Sequence, residues 1–334
     1  MAANLNKIFL IIILSLVVFL LISSKENKNN NIKLINNSIT RGLNFIDNSA
    51  NDKGIFKSLV CETDKMEKCI KDNSVFISHF IFYSLNNPQT NYAISNKSIS
   101  FILDQMSENR TWNYYINRSG NIPDDIDDTV VSLISIFISN VSFDYNLEFI
   151  EKNFENEKGI FNTWFHPPFE NNIDCVINSN VLLYYYLLNK SNSNIENYLN
   201  DIILNKKYPS CSKYYPNELV FIFAVSRAYE HDSFNNLKIR PLIEYLLNIQ
   251  KKNGSWGDDF NTTLASLSLL HFGYKCKEIE NAITFLFKTQ NEDGSWDIGN
   301  FFTDASNKHY GSGVLTTAFA IETMSKYVSI KQHL

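Results

Sequence analysis

Four carboxylates crowd into five positions after Pro123: Asp124, Asp125, Asp127 and Asp128, with Ile126 between them and Thr129 behind. One or two acidic side chains at a helix start would serve as a cap and favour the helix dipole. Four repel one another, and like charges a few Å apart raise the pKa of at least one member. A carboxylic acid kept protonated in a dry pocket is what protonation of an alkene requires. The same residues also spell DDxxD as Asp124, Asp125 and Asp128, a run suited to Mg²⁺, and that reading requires Mg²⁺ as cofactor. The first reading requires no cofactor.

These acids must be positioned by a repetitive scaffold. Two segments carry a Gln, a Gly and a Trp in one register, as Gln250, Gly254 and Trp256 and again as Gln290, Gly294 and Trp296. Weaker copies end near Phe56, Trp112 and Phe161, and a degenerate copy near Tyr208 fills the remaining gap. Six units of about 40 to 56 residues follow, a repeat architecture. Each has room for two helices. Val130–Ile138, Val181–Leu188, Leu219–Tyr229, Leu264–Phe272 and Val314–Met324 are almost apolar all round, as helices buried on every side are. Leu237–Gln250 and Glu278–Gln290 mix charged with apolar residues, as outer helices do. The expected fold is therefore all-α, an (α/α)6 toroid over residues 35–330.

In such an arrangement the inner helices begin at equivalent points around one mouth. These starts read Asn73-Ser74, Asp125–Thr129, Asp174–Asn178, Asn217-Glu218, Asp259–Thr262 and Gly311-Ser312. Asp174 and Asn178 stand in the repeat next to the acidic run and are candidates to support it. His166, on the loop Trp164–Pro168, is placed to hydrogen-bond a donor Asp. Trp112, Tyr114, Tyr115, Trp164, Phe165 and Tyr310 are candidates to face a carbocation, since aromatic faces attract cations.

The DxDDT run together with the two Gln/Trp copies resembles the terpene cyclase/protein prenyltransferase superfamily, and within it the squalene-hopene and class II diterpene cyclases. That resemblance implies a proton-initiated cyclisation of an isoprenoid lipid, with Asp127 as the donor and Asp125 and Asp128 as flanking carboxylates. It also implies that Gln250, Trp256, Gln290 and Trp296 tie outer helices together. The cyclases resembled enclose their substrate between two helical domains, whereas 334 residues suffice for one toroid. A homodimer, a second subunit or the toroid's own cavity would then complete the pocket. A protein prenyltransferase β subunit shares the toroid but is disfavoured, because the Asp-x-Cys of its zinc site is missing. A sugar-processing site pairing Asp127 with Glu218 or Asp259, and a non-catalytic lipid- or protein-binding module, remain as alternatives; burial of Asp127 would favour the acid over an exposed cap.

Residues 1–34 are read as an apolar segment and polar linker. Ile8–Ile22 is interrupted only by Ser15, and at about 15 residues lies between a signal-peptide core and a spanning helix. An uncleaved membrane anchor is expected, its orientation open; cleavage would give a secreted protein. The net charge of −5, without a basic cluster, excludes a nucleic-acid partner. Five cysteines, Cys61, Cys69, Cys175, Cys211 and Cys276, show no metal-ligand spacing and are expected as buried free thiols. In an exported domain, Cys61 and Cys69 form the only pair near enough in sequence to suggest a disulfide.

Overall fold

A computed structural model describes residues 30–86, 90, 92–144 and 147–332. The apolar run Ile8–Ile22 lies outside them. The structure is mostly helical. A helix over residues 30–49 (α1) spans the expected boundary at 34. There follow α2 (Phe76–Leu85), α3 (Asn96–Asp104), α4 (Ile126–Ile138), α5 (Leu147–Phe154), α6 (Cys175–Leu187) and α7 (Ser193–Leu204). The chain continues through α8 (Glu218–Glu230), α9 (Arg240–Ile249), α10 (Asp259–His271), α11 (Lys277–Thr289) and α12 (Gly313–Gln332). None of the described helices is long and apolar enough to cross a membrane.

The even-numbered helices are the buried ones. Each packs on the next, α2 on α4, α4 on α6, α6 on α8, α8 on α10 and α10 on α12, and α12 returns to α2, so the series closes on itself. The apolar runs in the sequence correspond to these helices, while α9 and α11 bury only one stripe each, led by Leu242 and Leu246 and by Ile279 and Leu286. Side-chain caps mark four of the inner starts: Asp125, Asp174, Asn217 and Asp258 each accept from backbone amides one turn in.

One hydrogen-bond pattern recurs from repeat to repeat. The amide of the residue ending each copy but the degenerate one donates to a side chain near the start of the following inner helix: Phe56 to Ser78, Trp112 to Thr129, Phe161 to Asn178, Trp256 to Thr262 and Trp296 to Thr317. The indoles of Trp112, Trp256 and Trp296 donate to the carbonyls of Ile102, Leu246 and Leu286 in the outer helix before. Gln250 Nε2 bridges Gly254 O and Glu278 O. Gln290 Nε2 bridges Gly294 O and Ser38 O, which ties the last copy to α1. Gly294 has φ +93, and a Cβ there would strike the Arg41 carbonyl.

Two features depart from expectation. A four-stranded antiparallel sheet, absent from an all-α reading, joins β1 (Ser58–Cys61) and β2 (Ile70–Asp72) to β3 (Phe302–Thr303) and β4 (His309–Gly311) in the order β2-β1-β4-β3. It fastens the first repeat to the last through Leu59 opposite Gly311 and Val60 opposite Tyr310. The cysteines are also not all free. Cys61 bonds Cys69, and Cys175 bonds Cys211 across a separation of 36 residues, leaving Cys276 as a thiol. The second pair was not visible as a pair because its partners meet only once α6 and the loop before α8 are packed together.

Candidate active site

The acidic run enters α4 from an extended segment. Asp125 N donates to Trp112 O, and Ile126 N to Thr163 O, so the run is clamped between two neighbouring loops. Asp125 caps the helix through Oδ1, 2.8 Å from Asp128 N. Thr129, last residue of the motif, closes the turn by donating to Asp125 O while accepting from Trp112 N. Its role is therefore the structural one shared with Thr262 and Thr317.

Asp125, Asp127 and Asp128 are all buried, at 3%, 5% and 4% exposure. This excludes a solvated acidic cap. Burial and the neighbouring Asp125 carboxylate push Asp128 well above the usual range, and burial raises Asp125 as well. Asp128 Oδ1 has no hydrogen-bond partner among the described residues.

Asp127 has a separate environment. Its Oδ1 accepts from Asn180 Nδ2 at 2.7 Å, and its Oδ2 lies 2.6 Å from the Tyr215 hydroxyl. Burial lifts its carboxyl to about 6, and the hydrogen bonds from Tyr215 and Asn180 keep it from rising further. Asn180 in turn accepts from Arg227 Nη2. A guanidinium can only donate, so the Asn180 oxygen must face Arg227 and its NH₂ must face Asp127. Arg227 is itself buried, with its guanidinium 4.8 to 5.2 Å from the ring centroids of Phe80, Tyr83 and Phe223. The chain Asp127–Asn180–Arg227 thus places a positive charge behind one oxygen of the acid and favours its conjugate base.

The three acids line the buried end of a cavity of about 880 Å³, a size typical of small-molecule sites. Its aromatic wall includes Phe76, Tyr114, Trp164, Tyr215, Phe302 and Tyr310. Phe302 and Tyr310 stack at 4.6 Å, so the sheet supplies one side of this wall. Phe169, Glu170, Ala305 and Ser306 are its exposed side.

Of the residues expected from sequence, Asp125, Asp127, Asp128, Tyr114, Tyr115, Trp164 and Tyr310 meet at this cavity. The others stand elsewhere. Trp112 is buried in the repeat pattern, and Asn178 is the counterpart of Thr129, bonded to Phe161 N and O. Phe165 packs on Phe149 and Phe154 of α5 and the residues around it. His166 is exposed, with its ring 4.4 Å from that of Phe165; the hydrogen bonds to Asp127 come from Tyr215 and Asn180 instead. Asp174 acts through the chain: its Oδ2 accepts from Ser212 Oγ, Lys213 N and Tyr214 N, fixing the loop that carries Tyr215. The Cys175–Cys211 disulfide fastens the same loop.

The alternative pairings do not assemble. Asp124 turns away to Thr111 Oγ1 and Arg118, so the DDxxD carboxylates do not converge. Glu218 accepts from Tyr245, Asp259 accepts from Asp297 N, and neither lines the cavity. Sequence reasoning missed Asn180, Tyr215 and Arg227. Asn180 and Arg227 did leave a signal, as strongly polar residues within helices otherwise apolar on every side.

A family model described as the sesquiterpene cyclase astC-like C-terminal domain matches residues 39–188, which include the acidic run. Among solved structures, the apo form of the type II terpene cyclase MstE from Scytonema is similar with a TM-score of 0.69 at 13% identity, covering 90% of this chain and 99% of that one. A structure of that cyclase with geranylgeranyl dihydroxybenzoate, its substrate, matches with a TM-score of 0.66 at the same identity and coverage. An ent-copalyl diphosphate synthase from Streptomyces platensis is similar with a TM-score of 0.60 at 13% identity, over 75% of this chain and 50% of that one. Helix order, the closed series of inner helices and the family match agree: the chain has the fold of the class II terpene cyclases.

Proposed function

We propose that this chain is a protonation-initiated isoprenoid cyclase, that its closed helical series is the (α/α)6 toroid, and that Asp127 is the general acid. The observation that carries the reading is the setting of Asp127, buried at the end of an aromatic cavity with a fixed donor on one oxygen. Because Asn180 can only donate to Oδ1, the acidic proton belongs on Oδ2, beside the Tyr215 hydroxyl. Transfer of that proton to a terminal alkene leaves a carboxylate that Asn180 and Arg227 stabilise and a tertiary cation in the cavity. Attack by the next alkene closes a ring and moves the positive charge along the chain, past the faces of Trp164, Tyr114 and Phe302. Loss of a proton from carbon ends the sequence, so the product has the composition of the substrate.

The cavity is walled by this chain alone, and the Scytonema cyclase is matched over 99% of its length. Both support the single toroid as the unit that carries the site. The two disulfides suit an oxidising compartment, which supports the secretory side for the toroid, tethered by Ile8–Ile22; protection of residues 30–332 from protease in sealed microsomes tests that placement.

The activity is tested by incubating detergent-solubilised protein and its Asp127→Asn variant with squalene, geranylgeraniol and geranylgeranyl diphosphate, followed by mass spectrometry. A cyclised product of unchanged composition, lost in the variant, is expected. Mg²⁺-dependent release of diphosphate would instead assign an ionising enzyme, and substrate binding with no product in any arm would assign a lipid-binding module.

A further inference from the structure

The charges around the cavity bear on the head group of its ligand. Asp125, Asp127 and Asp128 lie at the buried end, and Glu170 and Asp304 stand toward the exposed side, against Lys213 as the cation of the lining. Asp304 is a fixed anion. Burial works against its ionisation, but hydrogen bonds from Lys308 N, from Ser306 N and Oγ and from the Tyr310 hydroxyl outweigh it and hold its carboxyl below the usual range. The nearby arginines are engaged elsewhere: Arg118 with Asp124, and Arg227 beneath Asn180. Among the described residues no three His, Cys, Asp or Glu side chains converge as ligands for a divalent cation that could join these carboxylates to a phosphate.

A diphosphate entering this site would therefore face more negative charge than positive. A like-charge pair about 8 Å apart, at an effective dielectric of about 20, weakens binding by roughly tenfold or more. Uncharged polar residues line the same side, among them Asn171, Asn172, Thr303 and Ser306, whose side chains also bond within the protein. We infer that the isoprenoid taken by this cavity carries an uncharged, hydroxyl-bearing head group, an alcohol or a phenol, rather than a diphosphate. The inference rests on reading the cavity as an isoprenoid site.

Trp164 lines the cavity while the other tryptophans are buried in the repeats, so quenching of its fluorescence reports binding. The full chain is titrated with geranylgeraniol and with geranylgeranyl diphosphate, each with and without Mg²⁺, and products are followed in parallel. Geranylgeraniol is expected to bind at least tenfold more tightly in both conditions. Glu170→Lys is expected to narrow that gap at low salt and not at high salt. Equal or tighter binding of the diphosphate overturns the inference, and its cyclisation would leave the proposed function standing. Selective binding of the alcohol with no cyclised product refutes the cyclase and keeps the head-group assignment. Binding of neither ligand overturns the inference.

Discussion

Replacing Tyr215 by Phe removes one hydrogen bond and little else. The ring keeps its packing against Phe301 and Phe302, whereas Asp127 Oδ2 loses a hydroxyl 2.6 Å away. In the native protein burial raises the Asp127 carboxyl to about 6, and Tyr215 is the largest influence opposing that rise. A hydrogen bond to a charged acceptor is worth about 1.5–3 kcal/mol, and about 1.4 kcal/mol corresponds to one pH unit. The titration midpoint should then climb by about one to two pH units in the Phe variant. Carbon-13 NMR of Asp-labelled protein, with the Asp127 signal assigned through Asp127→Asn, measures this without any substrate. In turnover the alkaline limb of the rate should move upward with the midpoint, while the plateau falls because a weaker acid donates less readily. A midpoint that stays near 6 in a folded Tyr215→Phe protein would refute the assignment of Tyr215 as a partner of the acid.

Asp127 should also cost stability as it ionises. Its folded pKa of about 6 lies above the unfolded value near 3.9, so the folded state holds the proton more tightly and stability falls as pH rises between those values, by about 3 kcal/mol at most. Asp127→Asn cannot ionise, so its melting temperature should gain on the native protein from about pH 4 to about pH 6 and hold that gain above; a difference independent of pH would contradict the buried-acid account. Gly294→Ala should lose about 2 kcal/mol or more in denaturant titrations, because a side chain at φ +93 meets the Arg41 carbonyl; native stability would show that the joint between the last copy and α1 gives way freely. Replacing Cys175 and Cys211 together by Ser opens a 36-residue separation, for which chain entropy predicts a loss of about 4 kcal/mol. Thermal melts and the Asp127 titration should both shift, since the same loop carries Tyr215.

The inner helices were legible because burial on every side gives them long apolar runs with no charged face, and their starts were legible because helix amino ends need Asp, Asn or Ser. The Gln/Trp copies were legible for a similar reason: an indole that must reach a carbonyl in the preceding helix fixes its own spacing. Trp112 obeys that rule, yet its copy departs from the clear register, and it was read as both a repeat end and a cavity aromatic. The sheet was illegible, since strands of two to four residues carry no alternation and the pairing that joins its two halves, β1 with β4, spans almost the whole chain. Tyr215 had no local signal either, for its function depends on Asp174, Ser212 and a disulfide setting the path of its loop. His166 illustrates the converse: proximity in the repeat alignment did not say that its backbone would turn the ring outward onto Phe165.

The fastening of the first repeat to the last bears on how the protein is made. Ser38 and Gln290 meet across 252 positions, and the sheet pairs Leu59 with Gly311. Contacts so far apart in sequence require the largest loops to close, and they slow folding. Helix α4 and its acidic turn depend on neighbouring sequence and can form early, whereas Phe302 and Tyr310 reach the cavity only with the closure. A nascent or truncated chain would therefore hold its acidic turn without the aromatic enclosure that the proposed cyclisation needs. Competence for chemistry should arise at the final folding step, all at once.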